Sequence, residues 1–165
     1  MSREPGSKEA LRKKSLGELG ELFGIKALVD NYFEKIVNLN DKRMNYPFAD
    51  LYAEKGDKKY IISIKARNKY QKNHTLNSFY NLGSNAYIKA KTAEIEFGAE
   101  AYWMAIQFDD FTYSIFFGSL QDLNHHKSIP IKDCESGLIG VCFVKAKRHY
   151  FDFGFFGNQK NPQIK

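Results

Sequence analysis

The chain has 165 residues, 43% of them hydrophobic, which suits one domain with a core of its own. Lysine and arginine outnumber aspartate and glutamate by 25 to 19, and the resulting charge of +6 favours polyanionic partners over acidic ones. No segment approaches the ~18 apolar residues of a membrane span, and the two cysteines lack zinc-ligand spacing, so the sequence predicts a cytoplasmic protein that does not bind membranes.

The first predicted element is a long helix. Residues 1–14 are interpreted as a basic N-terminal arm, and residues 15–165 as a single α/β domain. Ser15 followed by Glu18 is typical of a capping box. Apolar residues then recur at helical spacing, which predicts a helix over residues 15–38 whose buried face comprises Leu22, Ile25, Val29, Tyr32 and Ile36.

A hairpin is predicted next, followed by a loop, a second helix and several strands. Strands over 48–53 and 60–66 flank a turn centred on Gly56 and Asp57. Residues 67–82 show no period and are predicted to form a long loop. Ser84 is expected to cap a helix that ends at Phe97, before Gly98, and strands are predicted over 101–108, 112–120, 138–147 and 150–156. This order predicts a mixed sheet with helices packed against it.

Two charged residues lie where the predicted hairpin is otherwise apolar. Asp50 is flanked by apolar residues, although aspartate is depleted in strands because its desolvation is unfavourable. Lys65 ends the segment Ile61–Lys65, and the alternation of a strand puts Ser63 on the same face as Lys65. Asp50 and Lys65 on adjacent strands therefore predict a compact polar site.

The first helix offers a carboxylate to the same site. Glu18 and Glu21 are expected on the side of the helix that faces the sheet. Glu18 is assigned to the capping box, where it bonds back to the Ser15 amide. Glu21 has no capping role and is therefore the better candidate for a site carboxylate.

The segment GELGE on a first helix, followed by PFADLYAEKGDKKYIISIKAR across a hairpin, resembles the core of the PD-(D/E)XK nuclease-like superfamily. The resemblance covers roughly residues 15–97. It implies a restriction endonuclease-like α/β core, with a mixed β-sheet flanked by helices, and here with extra C-terminal strands. It also implies two acids that bind a divalent metal, a lysine that orients or activates water, and a helix glutamate that completes the site.

Carried over by position, the resemblance makes Asp50 the first acid, Lys65 the lysine and Glu21 the helix carboxylate. Ser63 stands in place of the second acid. Asp50 and Glu21 are then the expected ligands of Mg²⁺ or Mn²⁺, which prefer oxygen donors. Because serine lacks a charge, either the metal is bound weakly or another acid is recruited, for which the candidates are Glu54 and Asp109.

A basic and aromatic run follows the lysine directly. Arg67, Lys69, Tyr70 and Lys72 are candidates for nucleic-acid binding, because cationic side chains bind phosphates and planar ones stack on bases. DNA is the expected partner.

Three functions are consistent with the sequence. The first is a divalent-metal-dependent endonuclease or exonuclease that hydrolyses DNA phosphodiester bonds. The alternative is a catalytically impaired protein of nuclease fold that binds nucleic acid or a protein partner. The third is an aromatic-rich β domain that serves oligomerisation or small-ligand recognition. A homodimer is compatible with each of them.

Overall fold

The structure is a computed structural model and describes residues 8–42 and 46–149. Its helices are α1 (Lys8–Asp30), α2 (Ala86–Phe97) and α3 (Ile131–Glu135). Its strands are β1 (Glu34–Asn38), β2 (Leu51–Lys55), β3 (Lys58–Asn68), β4 (Glu100–Asp109), β5 (Thr112–Ser119) and β6 (Val141–Arg148). Short 3-10 helices span Leu39–Asp41 and Gln121–Leu123.

The six strands form one mixed sheet in which spatial order follows sequence order. The central pair, β3 and β4, is parallel, and each of the other pairs is antiparallel. A parallel pair needs a crossover connection. The loop after β3 and helix α2 together make that crossover, so the mixed sheet flanked by helices that the sequence predicts is confirmed.

The sheet carries a hydrophobic layer on each face. The even-numbered residues of β3 and β4 pack in one cluster with Leu28 of α1, whereas the odd-numbered ones pack in a second cluster with Ala90 and Ala93 of α2. Ile62 and Ile64 belong to the α1 layer, which leaves Ser63 and Lys65 directed to the α2 face. Alternation along β3 thus separates its polar residues from its apolar ones, as predicted.

Helix α1 lies unusually close to the sheet because it presents glycine there. A Cβ atom placed on Gly20 would lie 2.8 Å from the Cβ of Ala66, and one placed on Gly24 would lie 3.0 Å from the Sδ of Met104. Only a residue without a side chain allows such an approach. Glu21 follows Gly20 directly, so the close contact at Gly20 determines how near the Glu21 carboxylate lies to the sheet.

The predicted limits of the first helix are wrong at both ends. Helix α1 begins at Lys8 and ends at Asp30, and Ser15 lies inside it, so there is no capping box. The chain turns at Asn31 and Tyr32, where Tyr32 has a φ of 66°, and continues as β1. The predicted buried face is also partly wrong, because Leu22 and Val29 are 64% and 56% exposed.

The later elements agree better with prediction. The hairpin turns at Gly56, and the strands predicted near β4, β5 and β6 are present with ends shifted by a few residues. Helix α2 begins at Ala86 rather than after Ser84, because Asn85, at a φ of 56°, occupies the N-cap position; the helix ends before Gly98 as predicted. The strand predicted over 150–156 lies outside the described residues.

Among residues 8–42 and 46–149 there is no helix with the length and apolar character needed to cross a membrane.

Candidate active site

Asp50 stands immediately before β2, where the first two strands meet β3. Its backbone N–H donates to the Ile62 carbonyl at 2.9 Å, and its own carbonyl accepts from the Leu39 N–H at 2.9 Å. Its side-chain Oδ2 accepts the Ile64 N–H at 2.7 Å. The Ile64 N–H would normally donate to a backbone carbonyl of β2, and here it donates to the Asp50 side chain instead. This places a carboxylate oxygen beside the middle of β3.

Glu21 and Asp50 are joined by one asparagine. The Asn40 Nδ2 donates to the Glu21 Oε1 at 2.5 Å and to the Asp50 Oδ1 at 3.3 Å. Asn38 donates its own Nδ2 to the other Glu21 oxygen, Oε2, at 3.1 Å. Helix α1 and the start of β2 therefore bring these two carboxylates to one place, with amide donors between and behind them.

Lys65 completes a small charged cluster with Asp50. Burial lowers the pKa of Lys65 below its ordinary value, the Asp50 charge opposes that shift, and the nearby cations Arg67 and Lys89 add to it. Burial also raises the pKa of Asp50; the Glu21 charge adds to this rise, and the Ile64 N–H, Asn40 and Lys65 oppose it. Each shift favours the neutral form, as is common where charged groups are collected for chemistry.

Ser63 is buried, with 2% of its surface exposed, on the same face of β3 as Lys65. In the register of the sheet it lies beside Trp103 of β4. A larger acidic side chain at this position would need a polar partner or a cation, because a buried unpaired carboxylate is unfavourable. The neutral hydroxyl of serine is less unfavourable to bury than a carboxylate and needs no cation.

The two acids considered as replacements lie elsewhere. Glu54 is further along β2, towards the hairpin turn, where it accepts from the Tyr52 hydroxyl at 2.5 Å and pairs with Lys35 at 3.0 Å. Asp109 ends β4; burial raises its pKa, its neighbour Asp110 adds to the rise, and Lys69 opposes it. The described residues contain no group of three or more His, Cys, Asp or Glu side chains with the spacing of a metal site.

The loop after β3 is ordered by its own backbone. The Gln71 N–H donates to the Thr75 carbonyl at 2.8 Å, and Tyr70 and Leu76 form an isolated antiparallel bridge. The Lys69 N–H donates to the Phe108 carbonyl at 2.7 Å, which ties the base of the loop to β4. Residues 70–76 are therefore a small turn that presents Tyr70 and Lys72 to solvent.

Arg67 stabilises the same loop through hydrogen bonds to backbone carbonyls. Its Nε donates to the Phe79 carbonyl at 2.9 Å, and its Nη1 donates to the Ala66 carbonyl at 2.8 Å. Burial lowers the pKa of Arg67, and the Tyr80 hydroxyl opposes that shift. Two of the guanidinium donors thus hold the chain, and Lys69, Tyr70 and Lys72 lie in the loop that they secure.

The asparagines that link the carboxylates are absent from the sequence-based site. Asn38 is the last residue of the predicted helix and Asn40 lies just beyond it, so no sequence argument directed them to Asp50. The available signal is the pair of asparagines two residues apart, directly after the β-branched residues Ile36 and Val37. That pattern is typical of a strand that ends in a turn.

The donor set fits a small divalent cation. One oxygen of Glu21 and one of Asp50 accept hydrogen bonds from the same amide nitrogen. A cation binds the lone pairs of a carboxylate in the same way as a donor hydrogen does, so both oxygens can also bind a metal ion. Oxygen ligands of this kind are those that Mg²⁺ and Mn²⁺ prefer. Glu21 and Asp50 are the residues that would hold such an ion.

The arrangement of the sheet and its helices defines the class of the fold. The mixed sheet, with helices on both faces and the parallel pair β3 and β4 at its centre, is a restriction endonuclease-like fold.

A solved structure of this type is Hjc from Archaeoglobus fulgidus, a Holliday junction resolvase from an archaeal hyperthermophile. It superposes with a TM-score of 0.50 and 20% sequence identity, over 74% of this chain and 90% of the resolvase. No protein-family model matches the chain, and no curated protein matches it. The similarity therefore concerns the fold.

Proposed function

We propose that this protein is a divalent-metal-dependent nuclease that hydrolyses phosphodiester bonds of DNA. The observation that carries the proposal is the shared donor between Glu21 and Asp50. Glu21 lies on α1 and Asp50 directly precedes β2, yet both lie within hydrogen-bonding distance of the Asn40 Nδ2. The similarity of fold to a junction-cleaving enzyme supports the same direction.

Each group in the cluster has a chemical role in this proposal. Glu21 and Asp50 would hold the cation, which supplies a more acidic bound water and neutralises charge on the phosphate. Asp50 is kept in place by the Ile64 N–H on Oδ2, which leaves Oδ1 directed to the Asn40 amide beside Glu21. Lys65 orients the attacking water, and its lowered pKa leaves a larger fraction of its amine neutral and able to accept a proton than in an ordinary lysine.

The ordered loop supplies the proposed DNA contact. Lys69 and Lys72 are cations on a turn that begins where the Lys65 strand ends, and the Lys69 Nζ lies 5.5 Å from the centre of the Tyr70 ring. Phosphates would be bound by the lysines, and an exposed base would stack on Tyr70. Arg67 contributes by holding the loop and adds positive charge beneath it.

A cleavage assay tests the proposal. Linear duplex, single-stranded and four-way-junction DNA are incubated with the protein in Mg²⁺ or Mn²⁺, and the junction is included because the structural neighbour is a junction resolvase. Asp50→Asn and Glu21→Gln are expected to lose cleavage, whereas Glu18→Gln, an exposed glutamate one turn earlier on α1, retains it. Equal cleavage by Asp50→Asn and the unaltered protein would remove this site from the mechanism.

Salt dependence tests the loop. Removing one phosphate contact lowers the slope of log Kobs against log salt by about 1, so Lys72→Ala should bind DNA with a shallower slope. Lys59→Ala, at the exposed hairpin turn, is the matched control and keeps the original slope. Identical slopes for both variants would show that Lys72 does not contact the backbone.

The buried Ser63 favours a second candidate function, a protein that keeps the nuclease fold and binds nucleic acid without cutting it. In that case the unaltered protein binds DNA, does not cleave it, and shows no site-specific uptake of Mn²⁺ in calorimetry. Saturable Mn²⁺ binding that disappears in Asp50→Asn would exclude this candidate.

A further inference from the structure

Asn40 occupies the centre of the candidate site rather than its margin. One side-chain nitrogen donates to an oxygen of each carboxylate, at 2.5 Å to Glu21 and 3.3 Å to Asp50. Its backbone is fixed as well, because the Asn40 N–H donates to the Asn38 Oδ1 at 3.0 Å in the cap of the 3-10 helix. Hydrogen bonds of both its backbone and its side chain therefore fix the position of the Asn40 amide.

The two separations from the Asn40 amide to the carboxylates are compatible with neighbouring positions in a coordination shell. Neighbouring ligands of an octahedral Mg²⁺ with bonds of about 2.0–2.1 Å lie about 3 Å from one another. The Asn40 Nδ2 lies at 2.5 and 3.3 Å from its two carboxylate oxygens, values that bracket that separation. Half a turn about the Asn40 Cβ–Cγ bond exchanges Nδ2 for Oδ1, and this would place an amide oxygen next to one oxygen of each carboxylate.

We propose that Asn40 is the third protein ligand of the metal, in the place of the acid that is absent at Ser63. This inference rests on the proposed metal-dependent nuclease and adds a residue to it. Without metal, the Asn40 amide nitrogen bridges the carboxylates and reduces their mutual repulsion. With metal bound, its carbonyl oxygen turns inward and completes a set of two charged ligands and one neutral ligand.

Asn38 has a different role from Asn40. Its Nδ2 reaches only Glu21, on the oxygen that Asn40 does not use, and its Oδ1 holds the Asn40 backbone. Asn38 is thus a positioning residue that orients the helix carboxylate. Such partners behind the ligands fix their orientation and influence metal affinity.

Binding of Mn²⁺ alone, followed by the electron paramagnetic resonance signal of the free ion, tests the role of Asn40 without reference to cleavage. Asn40→Ala should bind Mn²⁺ at least tenfold more weakly than the unaltered protein. Asn40→Asp should bind it at least tenfold more tightly, because it replaces a neutral oxygen by a charged one at the same distance. Asn31→Ala is the matched control, since that amide lies just after α1 and donates to the Ala27 carbonyl in the last turn of the helix, and it should bind like the unaltered protein.

The outcomes separate this inference from the proposed function. If Asn40→Ala and the unaltered protein bind Mn²⁺ equally while Asp50→Asn does not bind it, the metal site stands and the role of Asn40 is refuted. If neither the unaltered protein nor Asn40→Asp binds Mn²⁺, the metal site itself is refuted. If Asn40→Ala fails to fold by circular dichroism, Asn40→Asp decides: binding weaker than that of the unaltered protein overturns the assignment.

Discussion

Gly17 and Gly20 lie one turn apart on α1 and would receive the same methyl group into different surroundings. A Cβ on Gly20 meets the Cβ of Ala66 at 2.8 Å, whereas a Cβ on Gly17 has nothing within 4 Å. Gly20→Ala and Gly17→Ala are therefore a matched pair that isolates the contact between helix and sheet. The difference between the two variants measures how much the close packing of α1 on the sheet contributes to stability. The same packing determines the position of Glu21.

Gly17→Ala is expected to raise the free energy of unfolding, whereas Gly20→Ala is expected to lower it. Replacing glycine by alanine within a helix favours the folded state by about 0.5–1 kcal/mol, so Gly17→Ala should raise the free energy of unfolding by that amount. Gly20→Ala gains the same propensity but loses about 1–3 kcal/mol to overpacking. The Ala66 Cβ is bonded to buried strand backbone and cannot rotate away, so the helix must move. The two variants should therefore differ by about 1–3 kcal/mol.

Urea unfolding followed by tryptophan fluorescence measures this difference, because Trp103 is the single tryptophan of the chain and is fully buried. For a chain of this size, a change of 1 kcal/mol also shifts Tm by about 2–4 °C. Gly20→Ala should additionally weaken Mn²⁺ binding, whereas Gly17→Ala should not. If Gly20→Ala is as stable as Gly17→Ala, the close packing of α1 on β3 is wrong.

Two further predictions concern the charge of Asp50 and the packing of Trp103. Because the pKa of Asp50 is raised by folding, its ionised form destabilises the protein at pH 7, and this penalty fades as the pH falls through the raised pKa towards the ordinary 3.8. Asp50→Asn should thus have the higher urea midpoint at pH 7, by a margin that shrinks at lower pH; a constant margin would contradict the shift. A Cβ on Gly118 would lie 2.4 Å from the Cζ2 of Trp103, so Gly118→Ala should lose about 3 kcal/mol of stability and alter the fluorescence spectrum, and an unchanged Tm would refute the packing described for this side of the sheet.

The hairpin was the most predictable part of the fold. Alternation along Ile61–Lys65 and the turn at Gly56 and Asp57 are local signals, and the structure contains the turn and the second strand that they predict. The first strand was predicted over 48–53 but begins only at Leu51, so Asp50 precedes it. The same alternation correctly divided β3 between its two faces. Local patterns were sufficient here because neighbouring residues of the hairpin determine one another's environment.

The first helix shows where such patterns fail. Large apolar residues suggested a buried face through Leu22 and Val29, yet the face that meets the sheet contains Gly20, Gly24 and Ala27. Hydrophobic periodicity gives weight to large side chains, whereas close approach of a helix to a sheet requires small ones. The same bias extended the predicted helix through β1 to residue 38, so Asn38 was not recognised as a site residue, and Asn40 lay beyond the helix in a segment with no assigned role.

The candidate site residues Glu21, Asn40, Asp50 and Lys65 all precede the single crossover of the sheet. The three strands that follow it form a meander in which each strand pairs with its sequence neighbour. Within the described residues, this C-terminal half extends the sheet beyond β3 and contributes no side chain to the Glu21–Asn40–Asp50 cluster. Insertions in the crossover loop could consequently reshape the surface offered to a substrate while the cluster keeps its geometry.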